Sequence, residues 1–116
     1  RRWFSDKFIR NNKEIYDKIF SILSENEHNN FIKVYKLFVN YEDDDQILNN
    51  ININTLVTTG QYDVGSTVEM AKNLTKKIKN AKYVEIKDGK HLCNIESAEE
   101  FNKTLELFID QNYDEA

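Results

Sequence analysis

The hydrophobic positions of the chain change their period once, near Asn50. Before that point they recur at helical spacing. Phe4, Phe8 and Ile9 fall on a short stretch that Ser5 can cap, and Ile15, Ile19, Phe20 and Leu23 share a second face. Phe31, Val34, Tyr35 and Phe38 hold the i, i+3, i+4, i+7 positions of a third amphipathic face. Three short helices are therefore expected between Arg1 and about Leu48. The acidic run Glu42-Asp43-Asp44-Asp45 precedes Gln46-Ile47-Leu48. Carboxylates there suit the positive end of a helix dipole, and they suit a solvated loop equally well.

Beyond Asn50 the pattern becomes that of strands alternating with helices. Thr55 to Thr59 is rich in β-branched residues and ends at Gly60, which reads as a strand. Ser66-Thr67-Val68-Glu69 has the spacing of a capping box, and Ala71, Leu74 and Ile78 continue one apolar face as far as Lys79. Lys82 to Ile86 reads as a second strand, closed by Asp88-Gly89. A second box, Ser97-Ala98-Glu99-Glu100, opens a last helix expected to bury Phe101, Leu105, Phe108 and Ile109. A strand, helix, strand unit of this length makes a right-handed parallel crossover, so the fold class is α/β. Two parallel strands alone leave edges and faces uncovered, which points to part of a larger sheet. The chain begins at Arg1 without a methionine, in keeping with that expectation.

Composition narrows the function classes. A chain of 116 residues with 40% hydrophobic content can support one packed domain. Its 20 acidic against 16 basic residues give a formal net charge of -4, which repels phosphate backbones, so no nucleic-acid partner is expected. No apolar run approaches the roughly 20 residues of a membrane span, and the opening residues lack the apolar core of a signal peptide. A cytoplasmic protein without a membrane partner is expected. Cys93 is the single cysteine, so neither an internal disulfide nor a cysteine metal cluster can form. Gly60, Gly65 and Gly89 have no phosphate-binding spacing; they are expected at turns with positive φ, and no cofactor or metal is expected.

Two loops hold the candidate chemistry. One runs Thr59-Gly60-Gln61-Tyr62-Asp63-Val64-Gly65-Ser66, the other Lys87-Asp88-Gly89-Lys90-His91-Leu92-Cys93-Asn94-Ile95-Glu96. Both leave the carboxyl ends of parallel strands, where loops of open α/β sheets converge into binding sites. Asp63 and His91 could therefore meet, and a carboxylate on one imidazole nitrogen prepares the other to take a proton. Taken singly, each has an ordinary explanation: an Asp shortly after Gly is commonly a turn former, and a lone His beside Gly says little. Cys93 reads as packing, His28 as surface, and Asn94 and Glu96 either as neighbours of His91 or, for Glu96, as an anion at the start of the last helix.

Leu56-Val57-Thr58-Thr59-Gly60-Gln61-Tyr62-Asp63 and Gly89-Lys90-His91-Leu92-Cys93-Asn94-Ile95-Glu96 resemble the acid strand and the histidine loop of the α/β-hydrolases, whose triad runs nucleophile, acid, histidine along the chain. With the opening Arg2-Trp3-Phe4-Ser5, the likeness is to 3-oxoadipate enol-lactonases. Asn54 departs from the pattern, standing where the family commonly has proline. The resemblance implies the carboxyl-terminal part of such an enzyme, with residues 1–50 a helical cap and residues 51–116 part of the α/β core. Asp63 would be the acid and His91 the base. Trp3, in a segment that more commonly packs within the cap, is a candidate substrate contact. The serines are Ser5, Ser21, Ser24, Ser66 and Ser97, and none stands in a Gly-x-Ser-x-Gly elbow. The nucleophile is thus expected on a separate amino-terminal core, and this segment is expected to be inactive alone. The implied substrate is a small ester or lactone, although acyltransferases, dehalogenases and epoxide hydrolases share these loops. A non-catalytic binding module and a small independent α/β domain are further readings. An open sheet edge would favour self-association of the fragment.

Overall fold

Local hydrogen bonds decide where the helices begin. In the computed structural model, which describes residues 2–113, Ser5 Oγ accepts from Phe8 N at 3.2 Å and starts α1 (Asp6–Asn11). Arg1, the first residue of the expected cap, and residues 114–116 lie outside the described residues. Phe4 stands just ahead of α1 and is only 2% exposed. The second and third apolar faces form α2 (Lys13–Ser24) and α3 (His28–Val39). The acidic run starts a fourth helix: Asp44 Oδ1 accepts from Gln46 N at 2.9 Å and caps α4 (Asp45–Asn49).

The rest of the chain alternates as expected, with β1 (Thr55–Gly60), α5 (Val68–Lys77), β2 (Ala81–Ile86), α6 (Cys93–Glu96) and α7 (Ala98–Tyr113). β1 and β2 pair in parallel, from Thr55 opposite Ala81 to Gly60 opposite Ile86, and α5 packs on both strands. Asn54, just before β1, donates its side-chain amide to the Asn112 side chain on α7. No helix among the described residues is long and apolar enough to cross a membrane.

Several expectations need correction. The helix after β1 is capped by Thr67, whose Oγ1 accepts from Met70 N at 3.2 Å. Ser66 is unavailable as a cap: its N–H is held by Asp63, and its carbonyl accepts from Thr59 Oγ1 at 2.8 Å. Ile78 lies past the helix in extended backbone, turned inward at 6% exposure. Ser97 and Glu100 do not form a capping box either. Ser97 Oγ donates to the Lys87 carbonyl at 3.1 Å and Glu100 accepts from Lys87 N at 3.4 Å, so both are spent on the loop after β2. The apolar face of α7 is not buried: Leu105 and Ile109 are 40% and 48% exposed, and Phe101 and Phe108 are half-buried. A two-stranded sheet is too narrow to cover a 16-residue helix.

Burial concentrates at one place. Thr59, Gly60, Asp63, Ile86, Gly89 and Cys93 are all buried at the carboxyl ends of the two strands, and Phe4 is the buried residue of the helical segment among the described residues. The same region holds both candidate loops.

Candidate active site

Because β1 and β2 end side by side, the chain leaves the sheet twice at adjacent points, and backbone bonds lace the two loops together. Gln61 N donates to Ile86 O at 2.9 Å, Tyr62 N to Gly89 O at 2.9 Å, and Asp88 N to Gln61 Oε1 at 3.1 Å. The expectation that the glycines supply positive φ is not met; crowding by neighbouring atoms is what an added Cβ would meet at each of them. No described glycine has a positive φ; among the described residues Asp88, at φ 56°, is the one in the left-handed region. A Cβ on Gly60 would stand 2.2 Å from the Lys90 carbonyl oxygen, and one on Gly89 would stand 2.6 Å from Cys93 Cβ. Glycine is required at position 60 by the close approach of the second loop's backbone, and at position 89 by the Cys93 side chain of its own loop.

Within the first loop the Asp63 carboxylate closes a turn on its own backbone. Its Oδ1 accepts from Gly65 N at 2.8 Å and Ser66 N at 3.0 Å, while Oδ2 lies 2.8 Å from His91 Nδ1. The side chain is 5% exposed. Burial opposes its ionisation, but the Ser66 N–H, the His91 ring and the Gly65 N–H together outweigh that and hold the carboxyl below its ordinary value. An ionised carboxylate can only accept, so Nδ1 carries the proton of a neutral His91 and Nε2 keeps the lone pair. The His91 side chain is 46% exposed and borders a cleft of about 390 Å³.

The helical segment supplies most of the cleft wall, through Trp3, Phe31, Tyr35 and Phe38, facing Ser66 and His91 from the loops. Trp3 and Phe4 therefore divide: Phe4 is core, and Trp3 borders the cleft. Arg2 reaches the same cleft, its Nη2 lying 2.8 Å from where a Cβ of residue 65 would be.

The backbone around His91 is held by Trp3 and by Glu96, the latter one of the two residues expected as neighbours of His91. Leu92 N donates to Trp3 O at 3.1 Å, and Lys90 N donates to Glu96 Oε2 at 3.1 Å. Glu96 Oε1 accepts in turn from Ser5 N at 2.9 Å. Glu96 thus binds backbone beside His91, whereas Asn94 is exposed on α6. Cys93 is 7% exposed, and burial, reinforced by the charges of Asp63 and Glu96, pushes its thiol above the ordinary value against the pull of nearby N–H groups. A protonated, buried thiol is a packing group. His28 is exposed at the start of α3, far from any role in this arrangement.

Neither a protein-family model nor a curated protein sequence matches the chain. Two solved structures do. A thermophilic esterase from Thermogutta terrifontis, with malate bound, superposes with a TM-score of 0.82 at 22% identity over 95% of this chain. A bromoperoxidase from Bacillus anthracis superposes with a TM-score of 0.56 at 36% identity over 60% of this chain. The chain spans 40% of the esterase's length and 25% of the bromoperoxidase's. Its fold is that of the carboxyl-terminal part of an α/β hydrolase.

Proposed function

We propose that the chain supplies the acid and the base of an ester hydrolase of the α/β-hydrolase fold, and that the nucleophile stands on polypeptide outside these residues. The observation that carries this reading is the Asp63–His91 contact, placed where two parallel strands end and opening on an aromatic-walled cleft. His91 Nε2 takes the proton of a nucleophilic hydroxyl as that oxygen attacks the substrate carbonyl. Buried, ionised Asp63 stabilises the imidazolium so formed, which then protonates the departing alkoxide. A water molecule repeats the cycle on the acyl intermediate and releases the acid.

In this reading residues 1–50 form a cap and residues 51–116 complete the core. Trp3, at the edge of the cleft beside His91, forms part of the wall against the substrate. Within the class, the Trp-Phe opening and the His-Leu-x-Asn-Ile-Glu loop favour a small lactone or ester, in the manner of 3-oxoadipate enol-lactonases. The segment alone is inactive, because it holds neither an elbow nucleophile nor the oxyanion donors that come with one. The reading is tested by His91→Ala in the complete hydrolase, assayed on short acyl esters. Turnover should fall by about a million-fold; undiminished turnover refutes the assignment.

A further inference from the structure

We propose that Glu96 is a positioning residue for His91, clamping the histidine loop and the start of the helical segment into one unit. The functional half of this proposal rests on the acid–base reading above. Both sequence neighbours of His91 are tied through their backbone N–H groups: Lys90 N to Glu96 Oε2 at 3.1 Å, and Leu92 N to Trp3 O at 3.1 Å. The second Glu96 oxygen accepts from Ser5 N at 2.9 Å, so one carboxylate joins segments 91 residues apart. Between Trp3 and Ser5, Phe4 is 2% exposed and anchors that segment in the core. The Trp3–Ser5 segment, the Glu96 side chain and the Lys90–Leu92 segment therefore close a ring of contacts that includes the histidine. A carboxylate is the group this geometry requires, since each of its oxygens must accept from an N–H. Glutamine can satisfy one donor, but its amide nitrogen would face the other donor with hydrogen against hydrogen.

A base whose ring is set by backbone held on both sides loses its aim when one tie is cut. Displacements near 1 Å at a reacting group cost about a hundred-fold in rate. The Glu96 carboxylate binds Lys90 N and Ser5 N and does not line the cleft, so it acts on His91 through the backbone that it holds.

The test is Glu96→Gln in histidine-labelled protein, read by nitrogen NMR at a pH where imidazole is neutral. This chain carries two histidines, and exposed His28 is the internal reference. In the parent protein His91 should hold its proton on Nδ1. In the variant it should become a mixture of both tautomers with His28 unchanged, and kcat of the complete hydrolase should fall by about ten-fold or more with a smaller change in KM. A lowered melting temperature with the parent tautomer and kcat would make Glu96 a structural tie only and overturn the proposal. A tautomer mixture at His91 in the parent would overturn it as well. If Glu96→Gln fails to fold, Ser5 offers a second route. Its φ of -69° suits a prolyl ring, so Ser5→Pro removes both the N–H and the helix cap, whereas Ser5→Ala removes the cap alone. Proline should release the tautomer and alanine should not; equal effects would overturn the proposal. Failure of the hydrolase reading looks different. Ester turnover indifferent to His91→Ala, with His91 still released by Glu96→Gln, keeps the clamp and removes the catalysis.

Discussion

A Cβ on Gly60 would lie 2.2 Å from the carbonyl oxygen of Lys90, so the end of the first strand touches the backbone of the residue just before His91. Gly60→Ala must push that loop away or distort the strand. The expected cost is roughly 1–3 kcal/mol in denaturant unfolding. On the proposed function, ester turnover by the complete hydrolase carrying this change should also fall, because the displaced loop carries His91. A variant with parent stability and turnover would mean the contact relaxes without effect.

The depressed Asp63 carboxyl makes a pH-dependent contribution to stability. Because its folded value lies below the unfolded one, near 3.9, the stabilisation is fully present above the unfolded value and is lost as pH falls through the folded value. Urea midpoints measured from neutral pH into acid should therefore fall less steeply for Asp63→Asn than for the parent. Parallel curves would show that the carboxylate is not specially held.

Phe4 and Phe38 separate the core from the cleft wall. Phe4 is 2% exposed, stacks on Phe8 with ring centroids 4.8 Å apart and meets Tyr16 edge-on at 6.4 Å. Phe4→Ala should cost about 3–5 kcal/mol. Phe38 is 71% exposed, and its truncation should stay within about 0.5 kcal/mol. Equal losses at the two sites, measured by chemical denaturation, would contradict this division.

The alternation of strand and helix after Asn50 was legible because β-branched runs and a 3.6-residue period are local signals. The convergence of Asp63 and His91 followed once both loops were placed at one sheet edge. Cap positions were less legible: Ser66 and Ser97 have capping-box spacing, but both are drawn into tertiary hydrogen bonds with Asp63, Thr59 and Lys87. The glycines were misread for a related reason. For Gly60 the demand is set by Lys90, thirty residues on, and for Gly89 by the side chain of Cys93; neither is a matter of the residue's own φ. Glu96 was half visible, as a carboxylate near His91. Its bond to Ser5, 91 residues away, leaves no periodic trace.

The sheet and the helical segment leave much apolar surface uncovered. β1 has a strand partner on one side only among the described residues, and Leu37, Phe38 and Val39 are 75%, 71% and 61% exposed. The isolated 116-residue chain should therefore associate with itself as concentration rises, visible by light scattering behind a sizing column. A monodisperse monomer across the accessible range would speak against an incomplete sheet.

The central claim is that Asp63 and His91 act as one acid–base unit, and a double-mutant cycle on ester turnover by the complete hydrolase measures this. Asp63→Asn and His91→Ala should each lower kcat steeply, and the double variant should be no slower than His91→Ala alone, because Asp63 works only through the imidazole. Losses that multiply would show two independent roles and contradict the claim.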